Sequence, residues 1–316
     1  MLFAPLFADV FRRTGVAVPG LKFYDMNILV TGIGGFVGQE VKRGFKAAGH
    51  AVKGVPRQVL MDGGEQLDEL LEDADVVINL AGASLMGRWT EEYKKKILIS
   101  RQIGTQNLVD AMNRVKRNKE PEIGVKLFIS ASAVGIYRTG ALSDENTQEI
   151  ENGFLPEVVK TWESEATQAL GVRTVILRFG VIVGKSGGVI QKLLPLVHSR
   201  LAVVAGSGKQ PFPLIHIDDV VGFMLYALKH EDVEGVYNMV IPEETTYRGF
   251  IKALSKMRRP WLTFSLPERV LKLAMGNAVT ILTRTPHVVP GRLQASGYPL
   301  KYKTVDEVVG EIARSL

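Results

Sequence analysis

A chain of 316 residues, 46% of them apolar and none of them cysteine, has the material for one large α/β domain or two closely joined ones. The missing thiols exclude disulfides, cysteine nucleophiles and cysteine-ligated zinc or iron–sulfur centres. No charge-free apolar run reaches the ~18 residues of a membrane span, and a net charge of +6 without an aromatic-interleaved basic stripe argues against nucleic-acid binding.

The chain opens with "MLFAPLFADVFRRTGVAVPGLKFYD", Met1 to Asp25, which lacks the basic start of a secretory signal and contains two acids. Leu2, Phe3, Leu6, Phe7, Val10 and Phe11 fall along one helical stripe. Terminal segments fray unless tied down, so residues 1–25 read as a docking arm against the body or a partner chain in a larger assembly. An organellar presequence is the other reading. A mitochondrial or other organellar location is favoured over the cytoplasm.

From Met26 the runs "MNILVTG", "AVKGV", "ADVVINLAG", "VKLFISAS" and "VRTVILRFG" alternate with helical patterns. β-Branched strands of this kind, buried on both faces and linked by helices, predict a doubly wound parallel Rossmann sheet. Where the first run turns into a helix, Gly32, Gly35 and Gly38 stand three apart. The first permits a tight turn, the second lets a pyrophosphate approach the backbone, and the third lets the helix pack closely, so a dinucleotide is expected here. The second strand ends in Val55-Pro56-Arg57-Gln58. NAD sites place an acid there for the ribose hydroxyls, whereas a guanidinium suits a 2′-phosphate, so NADP is the expected cofactor. The basic run from Arg114 to Lys119 reads as a solvated helix end.

After Gly184 the pattern breaks into a glycine-rich segment, the loop "GSGKQPFP" and a helix-rich tail. The expected division is a nucleotide-binding unit over 26–184, completed by 214–238, and a smaller C-terminal substrate lobe over 185–213 and 239–316. Gly184 to Gly188 opens a helix whose free amides could meet an anion, or could only position the following loop. In "LIHIDDV", His216 is expected to be structural at the seam of the two units, with Asp218 or Asp219 capping the next helix. No His, Asp or Glu cluster has metal-ligand spacing, so no metal is expected.

"NILVTGIGGFVG", "NLAGASLMGRWTEEYKKKILISRQIGTQNLVDAM", "ISASAVGIY", "FLPEVVKTWE", "LRFGVIVGKSGG" and "LIHIDDV", followed by "RRPWLTFSLP" and "VVPGRLQASGYPLKY", stand in a familiar order. Together they resemble the atypical extended short-chain dehydrogenase/reductases labelled "epimerase family protein", with SulA-like members in plastids. The resemblance implies a nicotinamide dinucleotide held by the turn residues Thr31, Gly32, Gly34, Gly35, Phe36, Val37 and Gly38. It adds Pro56 and Arg57, then Leu80, Ala81 and Gly82 after the third strand, and Ile182 beside the nicotinamide. Arg101, which shares a helix face with Thr105, is implied as a phosphate or ribose contact.

Ordinary members of that superfamily use a Ser, and a Tyr with a Lys one helical turn later, for proton transfer. Ser132 matches the serine. None of the eight tyrosines has a Lys in that register, and the place where the pair should stand reads "FLPEVVKTWESEA". Tyr137 is the substitute candidate beside Ser132, with Lys160 or Glu163 as an accompanying charge. The alternative is that Tyr137 packs the cleft wall, Lys160 is solvated and Trp162 is core. Two functions follow: an NADP-dependent oxidoreductase or epimerase acting on an unidentified carbonyl or hydroxyl compound, or a cofactor-stabilised structural subunit of a larger, organellar assembly.

Overall fold

A computed structural model describes residues 26–118 and 124–315, so the stretch 1–25 with its proposed arm lies outside the described residues. In chain order, β1 (Asn27–Thr31) is followed by α1 (Phe36–Ala47), β2 (Ala51–Gly54), α2 (Arg57–Asp62), α3 (Glu65–Glu72), β3 (Val76–Asn79) and the long α4 (Glu91–Asn118). Then come β4 (Leu127–Ala133), β5 (Leu142–Ser143), α5 (Phe154–Ala166), β6 (Arg173–Phe179) and β7 (Val181–Gly184). The second half contributes α6 (Gly188–His198), β8 (Leu201–Ala205), β9 (Leu214–His216), α7 (Ile217–Lys229), β10 (Gly235–Met239) and α8 (Tyr247–Leu254). It ends with β11 (Leu262–Leu266), α9 (Glu268–Met275), α10 (Thr280–Thr283), β12 (His287–Val288), α11 (Gly291–Ala295) and α12 (Val305–Ser315).

Six strands form one parallel sheet in the order β2-β1-β3-β4-β6-β10. Strand alternation explains its two buried faces. Ile28, Val30, Val76, Ile78, Ile129 and Leu177 join α1 and α7 in one core. Leu29, Val77, Phe128 and Ile176 pack on α2, α3 and α4 in another. Each such side chain contributes about 1.5–3 kcal/mol on burial, so a one-residue slip of register would be costly throughout. The strand order reverses between β1 and β3, and ligands of open α/β sheets bind at the carboxyl ends beside such a reversal.

A separate core gathers Phe212, Leu214, Tyr247, Phe250, Val308 and Ile312 around the parallel pair β8 and β11. Helix α7 ties the two cores together. Its Asp219, wholly buried, accepts from the backbone amides of Lys301 at 2.7 Å and Tyr302 at 3.1 Å. Asp218 instead pairs with the Lys301 ammonium at 2.8 Å. Neither acid caps α7, contrary to the sequence expectation. The cap is His216, whose Nδ1 accepts the Asp218 amide at 3.2 Å while its ring meets Tyr302 edge-on at 4.6 Å.

Candidate functional site

The glycine turn is built against the end of β3. Gly32 has φ +67°, and a Cβ there would come within 2.7 Å of the Leu80 carbonyl oxygen. A side chain on Gly38 would collide with the Gly32 carbonyl and with Ile33, so α1 can leave the turn this sharply only with glycine. Gly34 and Gly35 behave differently. Nothing lies within 4 Å of a Cβ on Gly34, and only the Gly32 oxygen, at 3.3 Å, lies near one on Gly35. Their outer side is open space at the first turn of α1, which carries no acidic side chain to occupy its free amides.

Thr31 has no exposed surface. Its hydroxyl donates to Asn79 Oδ1 at 2.7 Å and accepts the amides of Leu80 and Ala81 at 3.1 Å each. Asn79 in turn donates to Thr105 Oγ1 at 2.9 Å. Thr31 therefore shapes the cradle by pinning Leu80 and Ala81 beside the turn. Pro56 stands at the N-cap of α2 and Arg57 is its exposed first residue, at the end of β2. The next acid, Asp62, is bound by Gln58 at 2.8 Å. Ile33 fills the gap between the turn and β2, where a Cβ on Gly54 would come within 2.6 Å of it.

The Gly184–Gly188 segment is a tight hairpin packed on the Phe36 ring, since a side chain at 187 would run into that ring and one at 184 would come within 2.6 Å of Ile217. Ser186 also donates to Glu40 of α1 at 2.5 Å. Packing thus accounts for these glycines. Ile182, paired with Ile215 and partly buried, stands at the start of this hairpin.

At the ends of β4 and β6, in register with one another, Ser132 and Arg178 belong to a buried polar network. Ser132 donates to Glu163 Oε1 at 2.5 Å, and Arg178 grips both oxygens of Glu163 at 2.8 and 2.7 Å. Burial works against the Arg178 charge, but the bonds and proximity to Glu163 outweigh it and hold the guanidinium protonated more firmly than usual. Tyr137, 2% exposed, donates to Asn238 Oδ1 at 2.8 Å and accepts from Arg178 Nη1 at 2.8 Å. Burial pushes its phenol pKa up, against the pull of Arg178. Its proton is engaged inside the protein. Lys160 is exposed and lines a cleft of about 910 Å³ with Lys94 and Lys95, while Trp162 is buried. Sequence reading missed Arg178 and Asn238; an arginine inside an otherwise apolar strand run, "TVILRFG", was the available signal.

On the α4 side of the crevice, Arg101 is only 8% exposed, and a Cβ on Gly82 would come within 2.8 Å of its guanidinium carbon. Beyond it Trp89, Ile97, Val158 and Ala278 form an apolar cluster that joins the segment after β3 to α5 and to the stretch before α10.

A parallel switch-point sheet with a glycine turn on its first strand defines a dinucleotide-binding Rossmann protein. A sequence profile of the NAD dependent epimerase/dehydratase family matches residues 28–239, and the chain belongs to that family. It is 30% identical over 321 aligned residues to the chloroplastic epimerase family protein SDR39U1 homolog of Arabidopsis thaliana, covering 95% of this chain and 90% of the relative. An epimerase family protein of Staphylococcus saprophyticus is 36% identical over 237 residues, covering 73% of this chain and 77% of the relative. The crystal structure of human epimerase family protein SDR39U1 with NADPH superposes with a TM-score of 0.83 at 29% identity, covering 92% of this chain and all of that one.

Proposed function

We propose that the chain is an NADP(H)-dependent oxidoreductase or epimerase acting on a carbonyl or hydroxyl compound. The observation that carries this is the open outer face of Gly34 and Gly35 at the switch point, with Arg57 at the end of β2 where an NAD site would hold an acid. The NADPH complex of the human relative supports the same cofactor. Gly32 to Gly38 would hold the pyrophosphate, Pro56 and Arg57 the 2′-phosphate, and Leu80 to Gly82 the adenosine side, while Ile182 would line the nicotinamide. Bound NADP supplies the hydride chemistry. Ser132, fixed by Glu163, is the proposed contact to the reacting oxygen. Tyr137 is placed to hold Arg178 and Asn238 rather than to exchange a proton with a ligand.

The engagement of Tyr137 favours a second reading, a cofactor-stabilised structural subunit, and the chloroplastic relative supports an organellar setting for it. Mixing the protein with NADPH and a panel of probe aldehydes, ketones and quinones, and following the loss of reduced-nicotinamide absorbance, separates the two. An enzyme oxidises NADPH at least tenfold faster than a Gly35→Val control. A protein that binds NADPH, oxidises none of it and co-sediments from organelle extract with a large complex is the structural subunit.

A further inference from the structure

Five of the eight large apolar side chains that stand exposed among the described residues fall between Trp261 and Leu273. Trp261 is 72% exposed and Leu273 83%, with Leu262, Phe264 and Val270 between them. Cations are interleaved with these side chains. From Lys252 to Leu273 the chain carries Lys252, Lys256, Arg258, Arg259, Arg269 and Lys272, all exposed, against the single acid Glu268. Six cations against one acid leave a surplus of five, in a chain whose whole net charge is +6. Of the six, only Lys256 has a carboxylate partner among the described residues, Asp306 at 2.6 Å.

Two elements carry this patch. Strand β11 pairs with β8, and Leu262 to Ser265 are exposed along it. Trp261, just before the strand, is held in place: its amide donates to the Arg200 carbonyl at 3.0 Å and its indole Nε1 to the Ser199 carbonyl at 3.1 Å. Pro267 then opens α9, its carbonyl accepting the amides of Val270 at 3.0 Å and Leu271 at 3.2 Å. Helix α9 leans on the second core through Leu271, while Arg269, Val270, Lys272 and Leu273 stand exposed around the rest of it. The neighbouring helices use their apolar stripes differently. Phe250, Ile251 and Leu254 of α8, and Val308, Val309 and Ile312 of α12, are buried in that core. Only α9 of the three leaves such side chains, Val270 and Leu273, in the open.

We infer that the face formed by β11 and α9 is a docking surface for an anionic phospholipid membrane. An indole suits the headgroup level, aliphatic side chains suit the acyl boundary just beneath it, and the surrounding guanidinium and ammonium groups suit lipid phosphates. The protein lies on such a surface without crossing it, since no helix among the described residues is long and apolar enough to span a membrane. Charge argues against a second copy as the occupant, because the same surplus of cations would face itself across the contact. Nucleic acid fits less well than lipid: Leu262, Val270 and Leu273 are aliphatic and offer no ring on which a base could stack. The inference is independent of what the crevice binds.

The tryptophans make the patch directly observable. Of the three in the chain, Trp89 and Trp162 are buried and Trp261 alone is exposed, so a change of emission on binding reports this face. The protein is mixed with vesicles of phosphatidylcholine, or of phosphatidylcholine with about one third phosphatidylglycerol, and followed by co-sedimentation and tryptophan emission. The wild type should sediment at least about tenfold more with the anionic vesicles than with the neutral ones. Its emission should shift to the blue with weaker acrylamide quenching, and sodium chloride should release it by screening the charges. Two double variants at exposed positions are compared, Trp261→Ser with Leu273→Ser and Arg258→Ser with Arg259→Ser. Neither removes a core side chain, so both should melt within a few degrees of the wild type, and both should lose vesicle binding severalfold. Failure of the wild type to sediment with anionic vesicles, or binding that survives unchanged in either variant, overturns the inference. So does vesicle binding that leaves the Trp261 emission unchanged, which would place the contact on another surface. Quenching of Trp261 by a single-stranded oligothymidylate without vesicle binding would assign the face to nucleic acid, and a dimer abolished by the variants without vesicle binding would assign it to a second copy. Either result also overturns the inference.

Discussion

Gly35 and Gly38 carry the same side chain for different reasons, and substitution separates them. Gly35 has φ −77°, which any residue adopts, and space outside it. Gly35→Val should therefore fold, yet place a branched side chain in the open space proposed for the pyrophosphate. NADPH at about 100 times its dissociation constant should stabilise the wild type by roughly 2.7 kcal/mol and this variant not at all. Gly38→Val should lose roughly 3 kcal/mol or more of stability with no ligand present, because its Cβ meets the backbone of the turn. Equal thermal shifts with NADPH in the wild type and Gly35→Val would put the nucleotide elsewhere. The spacing of these glycines was legible in sequence because the turn is local. The partners of Arg101 and Arg178 were not, because Gly82, Glu163 and Tyr137 reach them through the fold.

At the level of the element, the capping of α7 shows where local rules lose. Asp is a preferred N-cap, and "HIDDV" offers two, but the tail claims both acids and leaves the cap to His216. Burial lowers the His216 pKa, although Asp218 opposes the shift, so the ring is held neutral in the folded chain. A depressed folded pKa means that the unfolded chain binds the proton more readily. The stabilisation is present above the unfolded value of about 6.5 and is lost as pH falls from there toward the folded pKa. Melting temperature should fall as pH drops through that window, and His216→Asn, a cap that does not titrate, should flatten the fall. An identical pH profile in the variant would assign the acid sensitivity to other groups. Within the central sheet β1, β3, β4 and β6 were legible as elements because both of their faces are buried and their runs are rich in apolar residues, whereas the edge strand β2, "AVKG", buries none of its residues and was legible from the glycine turn and helix before it. The other exception is β10, "GVYNM", whose Asn238 spends its side chain on Tyr137 and on the Val289 carbonyl, so that it does not read as a buried run.

For the whole molecule, one arrangement links the fold to its proposed work. A six-stranded parallel sheet places its reversal between β1 and β3, the glycine turn opens there, and the end of β2 presents Arg57 in place of an acid. The order of these parts could be read from the sequence, whereas the joining of the second core through Asp219, and the packing of Ala278 on Trp89, depend on contacts between distant segments. The central claim is that this crevice binds NADP(H) and reads its 2′-phosphate through Arg57. Calorimetric titration of the wild type and Arg57→Ala with NADPH and NADH tests it directly. The wild type should prefer NADPH by at least tenfold, about 1.4 kcal/mol, and Arg57→Ala should lose most of that preference by weakening NADPH alone. Equal affinities for the two nucleotides, or a preference that survives in Arg57→Ala, would contradict it.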